Sequence, residues 1–155
     1  MSLLAAAHGV VNASAPLPWL IVAGQPTAAQ LGELHAAGVR TVIDLRDPME
    51  PRPFDEPGQV RALGMNYVSA PVVSGALSDD VMRQVLAALR ATKGMPSLLH
   101  CSSANRTGGP LIAYLMLDEG MDRQAAVEVA MRSGLRSAEL MQWATDYVAA
   151  VRTKP

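Results

Sequence analysis

A chain of 155 residues, half of them apolar, with 13 basic against 14 acidic side chains, has the balance of one soluble globular domain, its core over about 8–152. The basic residues are scattered, which excludes a nucleic-acid surface. The single cysteine excludes an internal disulfide and a multi-cysteine metal site, and the absence of any apolar run of about 18 residues excludes a membrane-spanning helix. No lysine or arginine precedes the mildly apolar first fifteen residues, and Pro16 follows Ala13-Ser14-Ala15, so a signal peptide is not expected and the cytoplasm is.

In chain order, Leu20-Ile21-Val22-Ala23, ended by Gly24, predicts an edge strand. Thr27-Ala28-Ala29-Gln30 is a capping box, with Leu31 and Leu34 at helical spacing and Gly38 past the helix end. Val39 to Leu45 predicts a buried strand. Pro48, Pro51, Pro53 and Pro57 make 46–58 an exposed loop, in which Arg52 and Phe54 are candidate substrate contacts. A short helix from Gln59 to Leu63 and a strand from Met65 to Ser69 follow. Ser78 caps a helix with Asp79 and Asp80 in its first turn and a stripe of Met82, Val85, Leu86 and Leu89. Pro96 to Leu99 leads into the cysteine segment, and three helical patterns close the chain, from Thr107, Asp122 and Ser137. Proline is tolerated only in the first turn of a helix, so Pro110 fixes the first of these starts near Thr107. Strands alternating with helices, then a helical tail, predict a three-layer α/β/α domain with a small, mainly parallel central sheet and a helical C-terminal third.

The segment His100-Cys101-Ser102-Ser103-Ala104-Asn105-Arg106-Thr107-Gly108 carries the chemistry. A thiol after a strand, a tight polar loop, and an arginine at a helix start make an anion cradle around a nucleophile. Loop amides and the helix N-terminus face the anion, and such a field favours the reactive thiolate. Cys101 is the expected nucleophile and Arg106 the bidentate clamp on the anion. Ser102, Ser103, Ala104 and Asn105 line the cradle, and the Thr107 hydroxyl is placed to bond the thiolate sulfur. His100 is expected to orient the loop, while His8 and His35 lie outside any constellation. No metal or organic cofactor is called for.

The His-Cys…Arg-Thr-Gly pattern resembles the signature loop of cysteine-dependent phosphatases of the dual-specificity type. A closer resemblance is to the bacterial beta-lactamase-hydrolase-like phosphatases. It rests on Gly24-Gln25-Pro26-Thr27, the strand ending Thr41-Val42-Ile43-Asp44-Leu45-Arg46, Leu63-Gly64-Met65-Asn66-Tyr67 followed by Pro71, and a Cys-x-x-x-Asn-Arg loop, and covers roughly residues 8 to 135. It implies a protein-tyrosine-phosphatase-like fold, a phosphorylated small molecule or phosphoprotein as substrate, and the same roles for Cys101 and Arg106.

Two departures keep alternatives open. Ordinary cysteine phosphatases place five residues between cysteine and arginine. This chain places four, the spacing of rhodanese-type sulfurtransferases, in which Cys101 would carry a persulfide. The loop lacks a glycine before the arginine, which leaves Asn105 as the residue best suited to a positive backbone angle. Ester cleavage also needs a proton donor, and 72–77 holds no acid. Asp79 and Asp80 suit helix capping, and Asp47, Glu50, Asp55 and Glu56 lie in the proline-rich loop. A non-catalytic anion-binding module is the third reading.

Overall fold

The structure is a computed structural model and describes residues 2–154. Five short strands form one sheet: β1 (Ser14–Leu17), β2 (Leu20–Ala23), β3 (Thr41–Asp44), β4 (Asn66–Ser69) and β5 (Ser97–His100). Their order is β1-β2-β5-β3-β4, with β1 antiparallel and every other pairing parallel. Leu20 to Ala23 is therefore not an edge strand, because β1 covers it. Pro16 hides β1 in the sequence, but proline is tolerated on an edge strand, and β1 is one.

Side chains alternate across the sheet. Leu20, Val22, Ile43 and Leu99 face one apolar layer, and Ile21, Ala23, Val42 and Leu98 face the other. The second layer is closed by α1 (Leu3–Ala6), α2 (Ala28–Ala36) and α3 (Glu56–Ala62). The first is closed by α4 (Asp79–Ala91), α5 (Gly108–Leu117), α6 (Arg123–Arg132) and α7 (Ala138–Thr153). The predicted three layers and helical C-terminal third are thus present.

Local signals set the helix ends. Thr27 and Gln30 form the reciprocal capping box, and Ser78, Asp122 and Ser137 cap α4, α6 and α7. The short helix starts earlier than predicted: Asp55 caps α3 by accepting from the Gly58 amide, and Pro57 sits in the first turn. Consequently 46–58 is not wholly an exposed loop, since Arg46 and Glu56 are buried at its two ends. Helix α5 is apolar all round and buried from Gly108 to Met116, so it packs between the sheet and α4, α6 and α7. At Gly109 an added Cβ would lie 2.9 Å from the Trp143 ring, which is how close α7 approaches.

Candidate active site

Four parallel strands end together at Ala23, Asp44, Ser69 and His100, and the loop 101–107 joins the last of them to α5. Its carbonyls are tied to the scaffold one after another. Cys101 O contacts His100 Nδ1 at 3.0 Å; Ser102 O accepts from Gln25 N at 2.9 Å and Ser103 O from Asn12 Nδ2 at 2.9 Å. Ala104 O accepts from Thr107 Oγ1 at 2.9 Å and Asn105 O from Gly108 N at 3.0 Å. Among the described residues, the N–H groups of Ser102, Ser103, Asn105 and Arg106 meet no protein acceptor. A loop with its carbonyls consumed and its amides spare, at a helix N-terminus, is a ready anion site.

The loop differs in detail from the sequence expectation. Ala104, not Asn105, takes the positive backbone angle, φ 71°. Ala104 is held there by α6's end: a Cβ at Gly134 would stand 2.7 Å from Ala104 O. The Asn105 side chain turns away from the cradle and accepts from Arg136 N at 2.7 Å. The Thr107 hydroxyl donates to Ala104 O, so its proton braces the loop and is not on the sulfur. Cys101 is almost wholly buried, 1% exposed, and its amide donates to Ala23 O at 3.3 Å.

Arg106 spans the cradle mouth, and its fork is occupied. Glu50, from the proline-rich loop, lies 2.5 Å from Nη1 and 2.8 Å from Nη2. Ser102 Oγ completes the ring, donating to Glu50 at 3.0 Å and accepting from Arg106 Nη2 at 2.8 Å. The Arg106 hydrogen bonds hold the Glu50 carboxyl down at about 2, with the Asp47 amide and Ser102 hydroxyl assisting against partial burial. Reciprocally, Glu50 makes the guanidinium harder to deprotonate, and the Cys101 sulfur beside it acts in the same direction.

Beneath the loop lies a buried polar network that the sequence did not disclose. His100 Nε2 is 2.6 Å from Glu56 Oε2, while Nδ1 lies 3.0 Å from the Cys101 carbonyl, so the ring ties Glu56 to the nucleophile's own peptide. Gln25 donates to the other Glu56 oxygen at 2.9 Å. Arg46 grips Asp44 with two bonds of 3.0 and 2.8 Å and reaches Glu56 at 3.4 Å. Tyr67 donates to Asp44 at 2.6 Å and Arg52 approaches it at 3.4 Å. Arg52 thus braces the network, and Phe54 packs with the α2–α3 layer. Burial pushes the Asp44 carboxyl up, but the Arg46 hydrogen bonds and the His100 charge outweigh it and hold Asp44 at about 2. Asp44, Glu56 and His100 offer ligand atoms within 4.8 Å of one another, as metal ligands do, yet Arg46 already supplies the positive charge among them. The one signal for Glu56 was Asp55-Glu56-Pro57, a helix start hidden among loop prolines.

Residues 17–109 match the family described as "Beta-lactamase hydrolase-like protein, phosphatase-like domain", a match that runs from β1 through the whole cysteine loop. The chain belongs to this family. The dual-specificity protein phosphatase TpbA of Pseudomonas aeruginosa strain UCBPP-PA14 is 29% identical over 134 residues, 84% of this chain and 58% of that protein. The chain therefore spans little more than half of TpbA's length. Among solved structures, a DUF442 protein of Shewanella putrefaciens CN-32 superposes with a TM-score of 0.79 at 22% identity, covering 95% of this chain and 97% of that one. P. aeruginosa TpbA, as a Cys-to-Ser variant in complex with phosphotyrosine, gives 0.71 at 22% identity over 93% and 92%. The fold is the protein-tyrosine-phosphatase-like one. Among the described residues, no helix is long and apolar enough to cross a membrane.

Proposed function

We propose that this protein is a cysteine-dependent phosphatase that hydrolyses a phosphate monoester, aryl phosphates included, through a phosphocysteine at Cys101. The observation that carries this reading is the occupied fork. A carboxylate already sits bidentate on Arg106 and Ser102, above the buried Cys101 and spare loop amides, so the cradle is shaped for an anion. A phosphoryl group in that place presents its phosphorus to Sγ. The sulfur forms a P–S bond as the ester P–O bond breaks; Arg106 and the loop amides hold the equatorial oxygens where charge spreads. Water then cleaves the P–S bond and releases phosphate. TpbA's complex with phosphotyrosine supports an aryl phosphate as substrate. Phosphatase-family membership through the four-residue loop weighs against sulfur transfer. A nucleophile that must stay reduced supports the cytoplasm as the working compartment.

The test is phosphate release from 4-nitrophenyl phosphate under reducing conditions. Cys101→Ser is expected to abolish turnover while still binding phosphate, and Arg106→Lys to lower kcat/KM by about a hundredfold or more, since lysine cannot make the fork. Equal turnover by wild type and Cys101→Ser would sink the proposal.

A further inference from the structure

We infer that Glu50 is the proton donor to the leaving oxygen, held on Arg106 until the substrate's phosphate displaces it. This rests on the phosphatase reading above. Among the described residues, Glu50 is the one carboxylate hydrogen-bonded to the cradle, meeting both Arg106 and Ser102. The other acids nearby have other tasks. Asp44 and Glu56 are buried and paired beneath the loop. Asp47 accepts from the Met49 amide, Asp55 caps α3, and Asp80 pairs with Arg83. Asp79 is exposed in the first turn of α4, where it complements the helix end, and 70–77 carries no acid.

Without substrate Glu50 holds no proton to donate near neutrality, because Arg106 stabilises its charged form. Substrate reverses that. The phosphate takes both Nη groups of Arg106, so Glu50 loses the bonds that keep it ionised and gains a multiply charged anion as neighbour. Both changes raise its affinity for a proton. The proton arrives with the substrate, since a phosphate monoester has its second ionisation near pH 6 and is partly monoanionic near neutrality. Glu50 accepts that proton and passes it to the ester oxygen as the P–O bond breaks and the P–S bond forms. The resulting carboxylate then takes a proton from the water that cleaves the P–S bond. The Glu50 side chain is 28% exposed on a loop segment, 47–55, that contains no helix or strand, and turning that side chain off Arg106 leaves the Arg52, Phe54 and Asp55 anchors of the segment in place.

The experiment compares wild type, Glu50→Gln and Glu50→Asp on two substrates. Phenyl phosphate releases phenol, about as basic as tyrosine, and needs a proton; 4-nitrophenyl phosphate releases a far more acidic phenol and does not. Glu50→Gln is expected to lower the ratio of kcat/KM on phenyl phosphate to kcat/KM on 4-nitrophenyl phosphate by about a hundredfold or more, because kcat/KM covers P–O cleavage and not the later attack of water, which the two substrates share. It should also erase the high-pH fall of the phenyl phosphate profile, and Glu50→Asp should recover part of the loss. An unchanged ratio, whether both rates fall or both rise, overturns the inference and leaves the phosphatase reading intact. Cys101-independent turnover, or none by wild type on either ester, overturns both.

Discussion

Arg46 lies on the cradle floor against two carboxylates, 2.8 Å from Asp44 and 3.4 Å from Glu56, with all three residues withdrawn from solvent. Removing one charge from such a group leaves the others buried and uncompensated, which costs more than the pair contributes. Arg46→Met, close in volume, is therefore expected to lower stability by about 3–5 kcal/mol. The check is urea unfolding, with the midpoint falling at constant slope. At this scale the sequence disclosed residues whose chemistry is local. Cys101 and Arg106 stand in one loop with a strand before and a helix after, and the cradle they form is there. A hydroxyl near a thiol in sequence points toward the sulfur, but a carbonyl three residues back is within closer reach of Thr107 and takes its proton. Glu56 was invisible because its partner His100 lies 44 positions away, and no local pattern says which buried imidazole a loop carboxylate will meet.

Elements hold the loop from two sides through glycines, and each is a close approach. Gly24, after β2, lies where a Cβ would be 2.5 Å from Ser102 O. Gly134, past α6, has φ 116° and lies where a Cβ would be 2.7 Å from Ala104 O. Gly134→Ala combines backbone strain with overpacking, and about 2–4 kcal/mol of lost stability is expected. Because the displaced atoms belong to the cradle, kcat/KM should fall further than the residual folded fraction explains. Thermal melting paired with kinetics on 4-nitrophenyl phosphate separates the two losses. Helix boundaries set by caps were legible, as Thr27, Ser78, Asp122 and Ser137 show, because a cap is a contact within three residues. Strand order was not. A four-residue apolar run reads alike at an edge or in the interior, and only the pairing with proline-bearing β1 decides it.

For the whole molecule, the network and cradle together set the response to acid. Asp44 has a carboxyl held at about 2 against an ordinary 3.8, so the folded state binds its proton less readily than the unfolded chain. Its contribution is complete above the unfolded value and is lost as pH falls from about 4 toward 2. With the carboxylate buried, that contribution is about 2 kcal/mol. Glu50 acts in the same direction from an ordinary 4.5 to about 2, but its partly solvated carboxylate is screened and adds less. Wild type is therefore expected to lose stability steeply below pH 4. Asp44→Asn, less stable at pH 7 because Arg46 loses its tightest partner, should show a flatter decline. The stability gap between the two proteins should shrink by about 2 kcal/mol from pH 6 to pH 2. Urea midpoints across that range measure it. A gap that stays constant would show that the Asp44 carboxyl titrates alike in the folded and unfolded chains, and that the Arg46 grip contributes nothing selective to its charged form.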